Sequence, residues 1–228
     1  MPTVAIVVAA GSGVRMGAGI PKALMPLAGR PLLAWSLSAL NRSDRVDAVV
    51  VAAPPQALEQ VRGIAAAVCE GAVVTQGGAS RSESVRAGLE AAAEPPSRVL
   101  VHDAARPLVT PQLIAAVLDA LDGADGAIAA SPEADTLKRA RDDLTIEATV
   151  DRAGLWRAET PQVFHAPVLR SAIAAAERAG TLAAATDCAS MVEADGGRVR
   201  IVPSTTPNMK VTTPADLLAA EALLTAAG

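Results

Sequence analysis

Apolar residues in this chain are gathered into short blocks separated by stretches of helical period. Val4 to Ala10 is a continuous apolar run rich in β-branched residues and closed by Gly11. Such a run predicts a strand buried on both faces, the situation of a strand inside a parallel sheet. Similar runs recur at Val46–Ala53, Ala72–Thr75, Arg98–His102 and Gly126–Ala130. Between them the period lengthens. Leu32, Leu33, Ser36, Leu37 and Leu40 share one helical face behind Pro31, a favourable first-turn residue. Ser80 and Glu83 have the spacing of a capping box in front of Val85 and Leu89, and Pro111 opens a helix carrying Leu113, Ile114, Val117, Leu118 and Leu121. This alternation predicts an α/β protein built on a single Rossmann-like, doubly wound, mostly parallel sheet, with its functional loops at the carboxyl ends of the strands.

The rhythm breaks between Pro132 and Phe164, where Thr136, Lys138, Arg139, Arg141, Asp142, Asp143, Glu147, Asp151 and Arg152 make a polar stretch with an Asp-Asp turn. It reads as a hairpin arm, at about 132–164, outside the main sheet. A surface insertion without a role is the alternative. A helix over Pro167–Ala179, a polar turn around Thr186 and Asp187, a strand over Val199–Val202 and a last helix from Pro214 complete the pattern. No repeat or low-complexity linker interrupts it, so one domain over 1–228 that includes the arm is expected.

Composition narrows the function classes. Of 228 residues, 51% are hydrophobic and 19% charged, enough apolar material for a core and too little charge for disorder. The formal net charge of -4 argues against a nucleic-acid partner, although a local basic pocket is compatible with it. Cys69 and Cys188 lie in no Cys-x-x-Cys or Cys/His cluster, which removes support for structural zinc and for a disulfide framework. Neither a basic leader nor an apolar stretch near ~18 residues occurs, so a cytoplasmic protein with no membrane partner is expected.

Three of the 20 basic residues are lysines: Lys22, Lys138 and Lys210. Arg15, Lys22, Arg30 and Arg42 all precede the first carboxylate, Asp44, so the amino-terminal segment is purely cationic. Within it, Ala9-Ala10-Gly11-Ser12-Gly13-Val14-Arg15-Met16-Gly17 is a glycine-rich turn directly after the first strand. Glycines there let backbone N–H groups converge on anionic oxygens. A dinucleotide fingerprint would need its third glycine where Met16 stands and an acid ~20 residues on, which weakens a nicotinamide-dependent dehydrogenase. A P-loop would need Gly-Lys-Ser/Thr, which weakens an ATPase. What remains is a glycine loop carrying cations at Arg15 and Lys22; taken alone, a plain tight turn fits it as well.

A second constellation, His102-Asp103-Ala104-Ala105-Arg106-Pro107, ends the strand at Arg98–His102. Asp103 stands where an open sheet exposes ligand-facing side chains and reads as a Mg²⁺ ligand, with a metal-free helix-entry carboxylate as the alternative. His102 reads as a packed, hydrogen-bonded histidine. With His165 the only other histidine, a Ser-His-Asp triad is disfavoured.

Together with Leu27-Ala-Gly-Arg-Pro-Leu32, Gly77-Gly78, Ser84-Val85, Asp135-Thr136, Val150-Asp-Arg152, Thr160-Pro-Gln162, Thr186-Asp187 and Asn208-Met-Lys-Val-Thr212, these motifs resemble the 2-C-methyl-D-erythritol 4-phosphate cytidylyltransferase family across nearly the whole chain. The resemblance implies CMP transfer from CTP to a polyol phosphate, with Mg²⁺ as cofactor and pyrophosphate as second product. It implies that Arg15, Lys22 and Lys210 are catalytic, and that Ala9, Ala10, Gly11, Ser12, Gly13, Gly78, Ser84 and Ala104 bind the nucleotide. Asp103, Arg106, Thr136, Arg152 and Thr186 would hold the polyol phosphate. It further implies a homodimer in which a protruding β-hairpin dimerisation arm supplies Thr136 and Arg152 in trans. Cys188, after Thr186-Asp187, departs from the acidic residue expected there. Ribitol 5-phosphate cytidylyltransferases, other nucleoside-triphosphate-dependent sugar nucleotidyltransferases and a noncatalytic nucleotide-sugar-binding domain are the alternatives.

Overall fold

The computed structural model of the chain describes residues 1–11 and 20–226. A seven-stranded sheet organises it. Strand β1 (Thr3–Val8) is followed by the short strands β2 (Pro26–Leu27) and β3 (Arg30–Pro31), helix α1 (Leu32–Asn41), β4 (Ala48–Ala53), α2 (Leu58–Val68), β5 (Val73–Gln76), α3 (Arg81–Glu90) and β6 (Arg98–Asp103). Then come α4 (Pro111–Asp119), β7 (Gly126–Pro132), β8 (Leu137–Ala140), β9 (Ile146–Val150), β10 (Trp156–His165), α5 (Ala166–Arg178), α6 (Cys188–Ala194), β11 (Val199–Pro203) and α7 (Pro214–Ala226). The sheet order is β11-β7-β10-β6-β1-β4-β5. All neighbouring pairs are parallel except those of β10, which runs antiparallel to both β6 and β7.

Period-two burial explains why the central strands read as continuous apolar runs. Ala5 and Val7 of β1 face the core built with α1, α2 and α4, while Ile6 faces the core built with α3, α5 and α6. Leu100 and Val99/Val101 of β6 divide in the same way. Both faces are therefore dry, and polar alternation is not available to these strands.

The polar arm is shorter than its sequence suggested. Strands β8 and β9 pair only with each other and form a separate, largely exposed hairpin. From Trp156 onward the chain re-enters the main sheet as β10, where Val163 and Phe164 are completely buried. The expected boundary at Phe164 is thus corrected to before Trp156. Polar residues of β10 hid it: Glu159, Thr160 and Gln162 are buried but hydrogen-bonded, so polarity there does not signal exposure. Helix α2 was absent from the sequence reading, and α6 stands where only a turn was expected, started by Asp187, whose carboxylate accepts from the Ser190 N–H at 2.9 Å.

Candidate active site

From β1 the chain winds outward through β4 and β5, then returns to place β6 on the other side of β1. The winding reverses between β1 and β6, where Val8 stands opposite Asp103, and open α/β sheets bind ligands at such a reversal beyond the carboxyl ends of the strands. Two cavities meet there. One, of about 370 Å³, is lined by Val8–Gly11, Lys22, the Gly78–Arg81 turn, Ser84 and the Asp103–Ala105 turn. The other, of about 580 Å³, is lined by Arg106, Thr160, Gln162, Thr186, Asp187 and part of β10. Arg81, Asp103 and Lys210 line both cavities and form their common wall.

Close packing shapes the first cavity. A Cβ on Gly78 would stand 2.3 Å from the Glu83 Cβ, and one on Gly77 would stand 2.6 Å from the Ala10 Cβ. Glycine is required at both places so that the loop can press against α3 and the end of β1. The expected capping box is present: Ser80 accepts from the Glu83 N–H at 3.2 Å, and Glu83 accepts from the Ser80 N–H at 2.7 Å. Ser84 accepts from the Gly78 N–H at 3.1 Å, tying the turn to the helix.

The common wall is held by charge. Arg81 Nε donates to one oxygen of Asp103 at 2.9 Å and Lys210 Nζ to the other at 2.6 Å. Burial alone would raise the Asp103 pKa, but the two cations outweigh it and hold the carboxyl well below the usual carboxylate range. Burial likewise disfavours the Arg81 charge, yet Asp103 more than compensates and raises its pKa. Arg81 Nη1 also contacts the Cys188 sulfur at 3.6 Å, so the thiol that replaces the expected acid packs behind Arg81, completely buried and lining neither cavity, with its pKa raised mainly by desolvation.

This pairing counts against the expectation that Asp103 is a metal ligand. A hard divalent ion takes one or two carboxylates with free oxygens. Asp103 is the one carboxylate lining the first cavity among the described residues, and both its oxygens are engaged by cations. Residues 12–19 add no acid, and among the described residues no group of three or more His, Cys, Asp or Glu side chains could hold a metal. The donor set does not fit a protein-held Mg²⁺.

The lysine segment is braced from several sides. Arg106 donates Nη1 to the Asn208 carbonyl at 2.6 Å and Nη2 to the Ala158 carbonyl at 3.3 Å. Asn208 donates to Glu159 at 2.9 Å and to the Thr160 carbonyl at 2.8 Å, and the Val211 N–H reaches the Ala105 carbonyl at 2.8 Å. Lys22 Nζ donates to the Val211 carbonyl at 3.2 Å. Residues far apart in sequence are thereby fastened around Lys210. Desolvation lowers the Arg106 pKa, with Asp103 and Glu159 opposing it.

Of the residues singled out in the sequence, Ala9, Ala10, Gly11, Lys22, Gly78, Ser84, Asp103, Ala104 and Lys210 surround the first cavity. Arg106 and Thr186 line the second. Thr136 and Arg152 line neither; they are exposed beside the hairpin, where Arg152 donates to the Ala134 carbonyl. Ser12, Gly13 and Arg15 lie outside the described residues. Arg81 and Glu159 were missed. For Arg81 the available signal was its place directly after the Ser80 cap, facing the cavity at a helix start.

The sequence matches the family model described as IspD, 2-C-methyl-D-erythritol 4-phosphate cytidylyltransferase, over residues 3–226. It is 45% identical over 228 residues to the 2-C-methyl-D-erythritol 4-phosphate cytidylyltransferase of Saccharopolyspora erythraea, covering 98% of this chain and 100% of that one. The Prochlorococcus marinus (strain MIT 9313) protein of the same name is 40% identical, with 96% of each chain covered. Among solved structures, the Thermus thermophilus enzyme of that name superposes with a TM-score of 0.79 at 36% identity, covering 96% of this chain and 98% of that one. The family model spans nearly the whole chain, and full-length relatives and a solved structure agree with it: the chain belongs to the 2-C-methyl-D-erythritol 4-phosphate cytidylyltransferase family.

Proposed function

We propose that this protein transfers CMP from CTP to the phosphate of 2-C-methyl-D-erythritol 4-phosphate, giving 4-diphosphocytidyl-2-C-methyl-D-erythritol and pyrophosphate. One observation carries the reading at the level of residues: two cavities, one bordered by the Gly78 turn and one by Arg106 and Thr186, share Arg81, Asp103 and Lys210. CTP occupies the first and the polyol phosphate the second, so the α-phosphorus and the attacking oxygen meet at the shared wall. A phosphate oxygen of the acceptor forms the new bond to the α-phosphorus as the bond to the β-phosphate oxygen breaks. No general base is needed, because a phosphate monoester with a second pKa near ~6 is already largely dianionic at neutral pH. Mutual repulsion of the two anions is the obstacle, and in-line positioning with cationic stabilisation overcomes it.

Lys22 and Lys210 both line the first cavity and supply its charge, joined in this reading by Arg15 of the glycine loop. Asp103 orients Lys210 through its ion pair, and Arg81 holds the other carboxylate oxygen. Gly78, Ser84 and Ala104 border the nucleotide, and Arg106 and Thr186 border the polyol phosphate. Mg²⁺ would arrive with the nucleotide as part of the substrate and would add positive charge against its phosphates, with Lys22 and Lys210 lining the cavity that receives it. A homodimer completes the site: Leu144 and Ile146 of the hairpin are 85% and 61% exposed, an apolar surface suited to a second copy, and Thr136 and Arg152 beside it reach the partner's acceptor cavity. Two buried free thiols suit a reducing cytoplasm, and among the described residues no helix is long and apolar enough to cross a membrane. The test is pyrophosphate release with each of four nucleoside triphosphates crossed with methylerythritol phosphate and ribitol 5-phosphate. Turnover confined to CTP with methylerythritol phosphate is expected; a preference for ribitol 5-phosphate or another triphosphate would overturn the assignment.

A further inference from the structure

Behind the shared wall lies a buried polar chain that the mechanism above does not use. His102 is completely buried in β6. Its Nε2 lies 3.2 Å from the Arg106 carbonyl oxygen and its Nδ1 lies 3.0 Å from the Thr160 Oγ1. The Asp103 N–H also points at Thr160 Oγ1, at 3.1 Å. Thr160 sits where the register of β10 against β7 shifts between Ala158 and Gln162, and it is one of the residues bordering the larger cavity.

Hydrogen-bond accounting leaves one assignment for a neutral ring. A carbonyl oxygen only accepts, so His102 Nε2 carries the proton and donates to Arg106. Nδ1 is then a bare acceptor, and its partner, the Thr160 hydroxyl, must donate to it. A hydroxyl has one proton and two lone pairs. The proton goes to His102 and one lone pair to the Asp103 N–H, so a single lone pair remains. The neutral ring has independent support: desolvation pulls the His102 pKa down to about 4, and the neighbouring Arg106 and Arg81 charges push the same way against the opposing pull of Asp103.

We propose that His102 is a positioning residue that fixes the polarity of the Thr160 hydroxyl, making Thr160 an obligate acceptor that reads a hydroxyl group of the acceptor substrate. It rests on the cavity assignment above, in which the larger cavity takes the polyol phosphate. A Thr160 hydroxyl free to rotate would donate equally well to a phosphate oxygen. Held by His102 it presents only a lone pair, which rewards a carbon-bound hydroxyl and repels a phosphate oxygen. The polyol chain is therefore placed against Thr160, and its phosphate is directed toward Lys210 and the shared wall.

Two measurements test this. In wild-type protein, long-range ¹H–¹⁵N spectra resolve the tautomers of its two histidines, His102 and His165. A neutral Nε2–H ring at His102 is expected near pH 7, and an Nδ1–H ring or a doubly protonated ring overturns the inference whatever the activity. In kinetics, His102→Phe fills similar space and leaves the Thr160 hydroxyl without its acceptor, while also removing the N–H given to the Arg106 carbonyl. Its KM for methylerythritol phosphate should rise roughly 3- to 10-fold, the scale of one neutral hydrogen bond, with KM for CTP and kcat nearly unchanged. Thr160→Val should raise the same KM, and the double variant should match Thr160→Val alone, because His102 acts through the hydroxyl that valine lacks. Multiplying effects, or equal changes toward CTP, would mean that His102 only supports the fold. Wild-type protein inactive with CTP and methylerythritol phosphate would sink the proposed reaction itself, and the tautomer measurement would still decide the role of His102.

Discussion

Asp103→Asn removes the charge on which the common wall depends and leaves two cations facing an amide. The side chain of Arg81 is 18% exposed, so its orphaned charge is poorly screened, and breaking a buried pair of this kind costs about 3–5 kcal/mol. Asparagine retains one carbonyl oxygen that can still accept from Arg81, which brings the loss to about 2–3 kcal/mol. The Lys210 side chain is 39% exposed, enough for solvent to screen its charge, so its pair adds at most about 1 kcal/mol. The total, about 3 kcal/mol, corresponds to a fall of about 6–12 °C in Tm for a chain of this size, readable by circular dichroism. The pH dependence has a definite sign. Folding depresses the Asp103 pKa, so its contribution is complete above the unfolded value of about 4 and is lost as pH falls below it toward the folded value. The gap between wild type and variant should stay constant from pH 7 to 5 and narrow only in stronger acid. Pyrophosphate release should fall because Lys210 loses its orientation, while the Mg²⁺ concentration giving half-maximal rate stays within about twofold of wild type. A Tm within a degree of wild type, or a large increase in the Mg²⁺ requirement, would refute the pairing as the role of Asp103 and restore the metal-ligand reading.

Three further outcomes follow from the same geometry. Lys22→Ala should lower kcat by roughly 10²–10³, the usual scale for one lost donor to a charge that develops in the transition state; an unchanged kcat removes Lys22 from the machinery. Mixed dimers of inactive Arg152→Ala and inactive Lys22→Ala chains should recover part of the wild-type rate, since one of the two sites is then intact. No recovery in verified heterodimers would count against an arm that crosses between subunits. Gly78→Ala should cost about 1–3 kcal/mol and raise KM for CTP, because its Cβ would stand 2.3 Å from that of Glu83. Wild-type stability and CTP affinity in that variant would show that the turn can move aside.

Local periodicity and turn chemistry were sufficient for much of this architecture. The β-branched runs that became β1, β4 and β6 advertise strands because both their faces are dry, and Ser80 with Glu83 marks the start of α3 because capping is settled within four residues. Glycines at 77 and 78, Lys22, Asp103 and Lys210 were also legible, through motifs that each occupy a few consecutive positions. What the chain could not disclose locally is which of these groups touch. The Lys210–Asp103 pair joins residues 107 apart and Arg81–Asp103 residues 22 apart. Whether Asp103 was a metal ligand or a partner for two cations therefore depended on the winding that sets β6 beside β1 and brings the 208–211 segment over it. The placement of β10 inside the sheet was likewise decided in three dimensions, because its buried Glu159, Thr160 and Gln162 are satisfied by distant partners such as Asn208, His102 and Asp187. Short-range order is written in neighbouring residues, whereas the protonation, pairing and burial that make a site are properties of groups the chain brings together only by folding.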